Sequence, residues 1–414
     1  MRVLVVTPSY PSRFLPYEGV FVEKQVEALR DSGMNVDVVH VSRTHLWPIS
    51  AAIPIASEPA VCRMDERGNT FIHIPARTLP RLAFYPDALF RLINHRVNRK
   101  ILSAVERLRP DVLHFHWGRT AGYGWLAMQR HPEVARVVTT HGGCTRHSRH
   151  HRFYRHSMIR SFREADKVIL VSPTLAEHAA MLGFDDSNFE IVGNGIDERI
   201  IRVKTDYWSP GMARPFRVSS VGALIPLKAH DDTIRAVGML VDRGYDVRLD
   251  IVGDGPEKPR LQAIINELKL ADRTKLHGSL PNSEALEVIR ASDVMCLPSW
   301  NEGFGVVYLE ALAQSVSAIS CRGQGFEHLM IQSQAGFVVD SHSPQEVAAC
   351  IERLVVEPGL AAAMGERGRT FVQDGQTLRH KGQEIVAVYE RAIEAAKHRC
   401  GGNVLPGKPA ATSP

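Results

Sequence analysis

The chain has 414 residues, too many for one ordinary core and suited to two domains. It is 44% hydrophobic and 23% charged, close to average usage, which argues against disorder, and no stretch approaches the ~20 apolar residues of a membrane helix. The net charge of +5 is modest but uneven, and six scattered cysteines without a C-x-x-C pair point away from a disulfide framework or zinc site and toward a reducing cytoplasm.

In chain order, the opening apolar run is too short for a signal peptide and reads as a strand at 3–6. Strands follow at 36–41, 112–115, 137–140 and 168–171, with helical patterns at 20–32, 87–107, 121–130 and 174–182. The second half repeats the scheme: strands at 218–221, 247–252, 275–277, 294–297, 318–320 and 337–339, helices at 231–243, 258–269, 283–290, 305–314 and 344–355. Such alternation predicts an α/β protein with doubly wound parallel sheets. The turn Asn194–Asp197 and the breaker-rich Ser209–Pro215 set a boundary near 205, giving domains 1–205 and 206–376, a terminal helix 377–398 and a disordered tail 399–414.

Ligands of such domains bind beyond the carboxyl ends of the strands, and the motifs fall there. Glu18-Gly19-Val20 closes a long turn after the first strand, where Gly19 would let a phosphate or sugar approach the backbone; no G-x-G-x-x-G dinucleotide fingerprint is present. His114-Phe-His116 and His141-Gly142-Gly143 end two further strands, and one of His114 and His116 is expected to be structural, the other to face the cleft. Gly222 through Lys228 follows the first strand of the second half, placing an ammonium within reach of a phosphate. Gly253-Asp254-Gly255 makes a tight strand-to-helix turn. No D-x-D triplet occurs, and the later histidines lack a carboxylate or cysteine among them, so no metal is expected.

The densest signal is Glu302-Gly303-Phe304-Gly305 running into a helix that carries Glu310. Glycines between a strand and a helix gather free N–H groups and the positive end of the helix dipole, a ready site for a diphosphate. Glu302 and Glu310 would then lie roughly 12 Å apart along the helix, each accepting from a hydroxyl-rich end. A sugar nucleotide has that layout.

In order, these motifs, with Gly278 and Gly323-Gln324-Gly325, make residues 1–395 resemble the retaining GT-B glycosyltransferases of glycosyltransferase family 4, and most of all members that build bacterial cell-surface polysaccharides. The resemblance implies two Rossmann-like domains facing across a cleft, with the terminal helix crossing back to the first. It implies a nucleotide-sugar donor, no cofactor, and a glycan or lipid-linked acceptor. By matching position, Lys228 would bind the diphosphate, Glu310 the ribose, Glu302 with Gly303, Phe304 and Gly305 the sugar and phosphate, and His141 the transferred sugar. Gly19 and Gly222 would lie against the diphosphate, and Gly253, Asp254 and Gly278 would border the base. His116 and Arg146 are the acceptor-side candidates. One departure stands out: the family usually has arginine directly after the glycine at 222, and here that residue is Ala223.

Two basic segments, Arg81–Arg109 and Arg146–Lys167, carry the aromatics Phe84, Tyr85, Phe90, Phe153 and Tyr154. They suit a cytoplasmic enzyme peripheral on an anionic membrane face; no nucleic-acid motif accompanies them. The rival readings are a sugar-nucleotide epimerase of the same fold and a non-catalytic scaffold in a polysaccharide assembly complex.

Overall fold

The computed structural model describes residues 1–12, 18–45, 61–78 and 86–401. The chain forms two compact units, one of Met1–Leu170, Ala176–Val192 and Gly382 onward, the other of Val171–Leu175 and Gly193–Lys381.

The first unit is built on β1 (Arg2–Thr7), β2 (Asn35–His45), β3 (Val61–Met64), β4 (Thr70–Thr78), β5 (Val112–His116), β6 (Ala135–Thr140), β7 (Lys167–Leu170) and β8 (Phe189–Ile191). Their order is β3-β4-β2-β1-β5-β6-β7-β8, and only β3 with β4 is antiparallel. Val3 pairs with Val36 on one side and Val112 on the other, and Val3 to Val6 are fully buried. A parallel strand covered on both faces needs such an uninterrupted apolar run, which is why this strand was readable.

Several elements lacked that signature. β3 is exposed throughout and β8 has three residues, so neither edge strand carries an apolar run. The helices Gly143–His150 and Arg152–Glu164 are dense in Arg and His, and the second is held by one thin stripe, Tyr154, Met158 and Phe162. The single helix expected over 87–107 is two, Asp87–Ile93 and His95–Leu108, parted at buried Asn94, whose Nδ2 donates to Phe90 O at 2.8 Å.

The second unit holds β9 (Phe216–Val221), β10 (Val247–Val252), β11 (Thr274–Gly278), β12 (Val294–Cys296), β13 (Ser317–Cys321) and β14 (Gly336–Val339), all parallel and ordered β11-β10-β9-β12-β13-β14. Strand order reverses between β9 and β12 here and between β1 and β5 in the first unit. At such switch points the loops part, leaving a crevice for a ligand.

The chain enters the second unit at Gly193, not near 205, because the segment ahead of the breaker-rich stretch is already bonded into that unit. Arg202 N donates to Ala313 O at 2.8 Å, and the buried Lys204 ammonium caps the carbonyls of Arg290 and Ser292 at 2.6 and 2.7 Å. Ile196 N donates to Gln376 O at 3.1 Å and Leu378 N to Ile196 O at 2.7 Å, so the outgoing and returning chains are stapled side by side. The terminal helix spans Leu378–Gly401 and joins the first unit from Gly382. The expected tail lies outside the described residues beyond position 401.

Ile385, Val388, Tyr389, Ala392 and Ala396 recur at helical spacing and pack into one core with Val3, Val5, Val26 and Leu29. Arg399 and Arg391 fasten the helix to Asp166 and Glu190, each at 2.9 Å. Ile385→Ala should therefore cost about 2–5 kcal/mol, the range for a buried large-to-small change. Native-state hydrogen exchange should lose protection in β1 and β2 while β9 to β14 stay protected; an even loss across both sheets would refute this division.

Candidate active site

In the second unit, the loop after β9 carries Lys228 and the loop after β12 carries Glu302, on the two sides of the β9/β12 switch point. Their side chains form an ion pair, both about four-fifths buried. Glu302 is held from several directions: its N–H donates to Gln324 Oε1 at 2.8 Å, and its carbonyl accepts from Gly325 N at 3.1 Å. Ser299 Oγ sits 3.5 Å from Glu302 Oε2 and donates to Leu227 O at 3.0 Å, tying the Glu302 loop to the Lys228 loop. Trp300 N donates to the same Leu227 carbonyl at 3.0 Å.

Gly305 is the N-cap of the helix Val306–Ala313, with φ +88°. A Cβ there would sit 2.5 Å from the Tyr308 ring, and Tyr308 is fixed by its own bond from Oη to Leu297 O at 2.5 Å. The first N–H groups of this helix have no intrahelical acceptor and carry the positive end of its dipole, beside Lys228 and Glu302. Phe304 contributes no side chain to this opening. It is buried against Phe326, with Gly193 tightly over its ring.

Glu310 lies one turn into that helix, four residues and ~6 Å of rise past Val306, and Glu302 precedes the helix, so helical rise covers only part of the span expected between the two glutamates. The helix starts where the sequence placed it, with Gly305 as its left-handed cap. Burial pushes the Glu310 carboxyl up, and the Asn282 amide, donating to Oε1 at 2.9 Å, partly offsets this.

The glycine turns after β9, β10 and β11 are bonded together: Gly222 N donates to Val252 O at 2.9 Å and Gly253 N to Gly278 O at 2.8 Å. At Gly253 (φ +145°) a Cβ would stand 1.9 Å from Gly222 O, so only glycine fits. Gly278 is open on its outer side. Asp254 shapes the turn itself, its carboxylate accepting from Gly255 N at 2.8 Å. Ala223 is exposed, and among the described residues Lys228 is the one cation ion-paired with Glu302.

In the first unit, Gly19 caps the helix Val20–Asp31 with φ +71°, and a Cβ would lie 2.4 Å from Ser9 O. Its glycine is thus demanded by the turn itself, whatever binds there. His141 follows β6 and is largely buried, its Nδ1 included, flanked by Phe21 and Trp117 at ring distances of 4.7 and 4.8 Å. The expectation that one of His114 and His116 faces outward does not hold, since both are fully buried. His114 is bonded to Tyr389 and Thr139, and His116 stands behind His141, so His116 is no acceptor contact. The Arg146 side chain lies outside the described residues.

Sequence reading missed Ser299 and Asn282 as partners of the two glutamates and left Gln324 without a role. Gln324 sits inside a glycine pair already singled out, which was a usable signal. Asn282 bonds a residue 28 positions away, and no spacing rule reaches that far.

Residues 212–371 match the family described as glycosyl transferases group 1, and residues 18–195 match the glycosyl transferase 4-like domain. A Bacillus subtilis protein assigned to teichuronic acid biosynthesis as a glycosyltransferase, TuaC, is 28% identical over 377 residues, 85% of this chain and 89% of its own. Among solved structures, sucrose-phosphate synthase from Thermosynechococcus elongatus has a TM-score of 0.73 at 18% identity, covering 95% of this chain and 100% of that one. HepE of Anabaena, in complex with UDP and glucose, has a TM-score of 0.68 at 17% identity, covering 94% and 99%. The two α/β sheets have the GT-B fold of these structures, and the two family matches make the chain a glycosyltransferase. Within that class, the chain belongs to the family 4 kind.

A diphosphate that takes Lys228 must displace Glu302 and then lie beside its carboxylate. Glu302→Gln is therefore expected to tighten binding of bare UDP, or of whichever nucleoside diphosphate binds, about fivefold, or about 1 kcal/mol. Titration calorimetry reads this directly. Unchanged or weaker binding would mean that the pair does not guard the lysine.

Proposed function

We propose that this glycosyltransferase moves a hexose from a nucleotide-sugar donor to a glycan or lipid-linked acceptor in bacterial cell-surface polysaccharide synthesis. The observation that carries the proposal is the Lys228–Glu302 pair at the start of the helix Val306–Ala313, one turn from Glu310. As the glycosidic bond breaks, negative charge grows on the departing nucleoside diphosphate. Lys228 and the helix N–H groups meet it with fixed positive charge in a partly desolvated place. Glu302 turns to the sugar hydroxyls and Glu310 accepts from the ribose, while Gly222, Gly253, Asp254 and Gly278 border the phosphate and base. His141 contacts the transferred sugar and Gly19 lies under the diphosphate. Retention of anomeric configuration is the course that the resemblance to family 4 implies.

Leaving-group stabilisation by these fixed charges needs no metal, and the sequence has no D-x-D triplet to bring one. Lys228→Ala should lower turnover about 10²- to 10³-fold, the range for one transition-state donor, with the melting temperature nearly unchanged. In the same assay the unaltered enzyme should keep its rate in EDTA. Near-normal turnover of the variant, or loss in EDTA restored by Mg²⁺, would each overturn the corresponding part.

An anionic membrane as the surface that presents the acceptor draws support from exposed apolar and basic side chains on three helices of the first unit. Leu89 and Leu92 on the helix Asp87–Ile93 and Phe153 on Arg152–Glu164 are exposed, Leu92 by 73%. Arg96, Arg99, Lys100, Arg152 and Arg155 are exposed on these helices and on His95–Leu108. Phe90 and Tyr154, expected to dip into the interface, are instead buried, Phe90 beneath the Arg119 guanidinium at 4.4 Å. Phe84 and Tyr85 lie outside the described residues. Among the described residues no helix is long and apolar enough to cross a membrane. Each cation near an anionic surface contributes about 1 kcal/mol. Sedimentation should show binding to anionic vesicles, weakening with salt and with Arg96→Glu plus Arg99→Glu. Equal binding to neutral vesicles would sink the membrane reading.

A further inference from the structure

Glu310 is partly buried on the helix Val306–Ala313, and its two carboxylate oxygens are not alike. Oε1 accepts from Asn282 Nδ2 at 2.9 Å. Oε2 has no partner among the described residues, and it is not one of the buried atoms sealed from water without one. No lysine or arginine among the described residues pairs with this carboxylate, so Asn282 is the one side chain bonded to it. Burial pushes the carboxyl up, and the donating amide works the other way, favouring the form that accepts. An amide turned over would set its oxygen against the carboxylate, so Nδ2 is the atom that faces it.

The fold asks little of the Asn282 side chain. Asn282 is exposed and heads the helix Asn282–Ala291, which is held by Ala285, Leu286 and Ile289 on its buried face. The loop leading to that helix is anchored at its other end, where Gly253 N donates to Gly278 O at 2.8 Å. The bond to Glu310 instead crosses the carboxyl end of the sheet. Asn282 comes from the loop after β11 and Glu310 from the helix after β12, with β10 and β9 lying between those strands. A glutamate side chain turns about three torsions, and one left free would be ordered only when its ligand arrived, which weakens binding.

We infer that Asn282 is a positioning residue for the donor: by donating to Oε1 it fixes the orientation of the Glu310 carboxylate before a ligand arrives and leaves Oε2 open to accept from the ribose hydroxyls. This rests on the reading of Glu310 as the ribose contact. Asn282 itself need not touch the nucleotide. Its effect passes through the carboxylate, so it disappears when either the carboxylate or the ribose hydroxyls are taken away.

Titration calorimetry on the full chain tests this, using whichever of UDP, GDP and ADP binds most tightly and the 2′,3′-dideoxy counterpart of that nucleotide. Loss of the ribose hydroxyls should weaken binding to the unaltered protein at least about tenfold. Asn282→Ala should weaken the ribose nucleotide about three- to tenfold, the range for one side chain that must be ordered on binding, and leave the dideoxy nucleotide unchanged. On a Glu310→Ala background, Asn282→Ala should cost nothing further. Equal loss for the two nucleotides, no loss for either, or a full added loss on the Glu310→Ala background overturns the inference and leaves the ribose reading standing. If the unaltered protein binds both nucleotides alike, or binds none of the three diphosphates, the ribose reading itself falls and takes the inference with it.

Discussion

The second unit is organised around an ion pair between residues 74 positions apart. Leaving either charge alone in a half-buried crevice would be costly, since a desolvated charge without a partner loses its hydration and gains nothing. Lys228 and Glu302 solve this by satisfying each other. The pair can persist only if the loops after β9 and β12 keep their spacing, and the supporting contacts serve that end. Ser299 ties one loop to the other through Leu227 O, Gln324 and Gly325 grip the Glu302 backbone, and Gly305 turns the chain into its helix. An anion entering this crevice would have to replace that interaction. An anion that offers both a phosphate for the lysine and hydroxyls for the glutamate compensates both partners at once. A simple phosphate compensates one.

The glycines of this chain are legible twice over. Gly19 and Gly253 stand where motifs point to a phosphate or a base, yet each is already required by the backbone pressed against it, Ser9 O in one case and Gly222 O in the other. A glycine motif therefore reports first that two backbones cross closely. The exposed amides that a ligand can use follow from that crossing. Gly222 differs: a side chain there would meet only ordinary contacts, so the backbone does not demand glycine at this position. Its neighbours there are Leu297, Lys228 and His230.

How much could be read from the sequence follows from the range over which each signal acts. The inner strands β9, β10, β12 and β13 are largely buried and announce themselves by short apolar runs, and the half-buried edge strands β11 and β14 were foreseen from the strand–helix alternation. Edge elements such as β3 and β8 have no such run, and the helix Arg152–Glu164 hides three apolar residues among five basic ones. The site shows the same contrast. Lys228, Glu302 and Glu310 could be placed because strand ends are local features. That Glu302 turns to Lys228, or that Asn282 bonds Glu310, depends on register between distant loops, which no local pattern encodes. The buried position of His116 was equally hidden, because a histidine at a strand end reads the same whether its neighbour covers it or not.

The two units bring different chemistry to their switch points. In the second, the side chains are formally charged and the N–H groups belong to a helix dipole, a combination suited to an anion whose charge grows. In the first, burial strips the proton from three histidines and leaves neutral rings aligned by hydroxyls and by one another. Neutral donors suit hydroxyl and ether oxygens. Neutral histidines at one switch point and positive charge at the other thus give each unit an environment suited to a different kind of group.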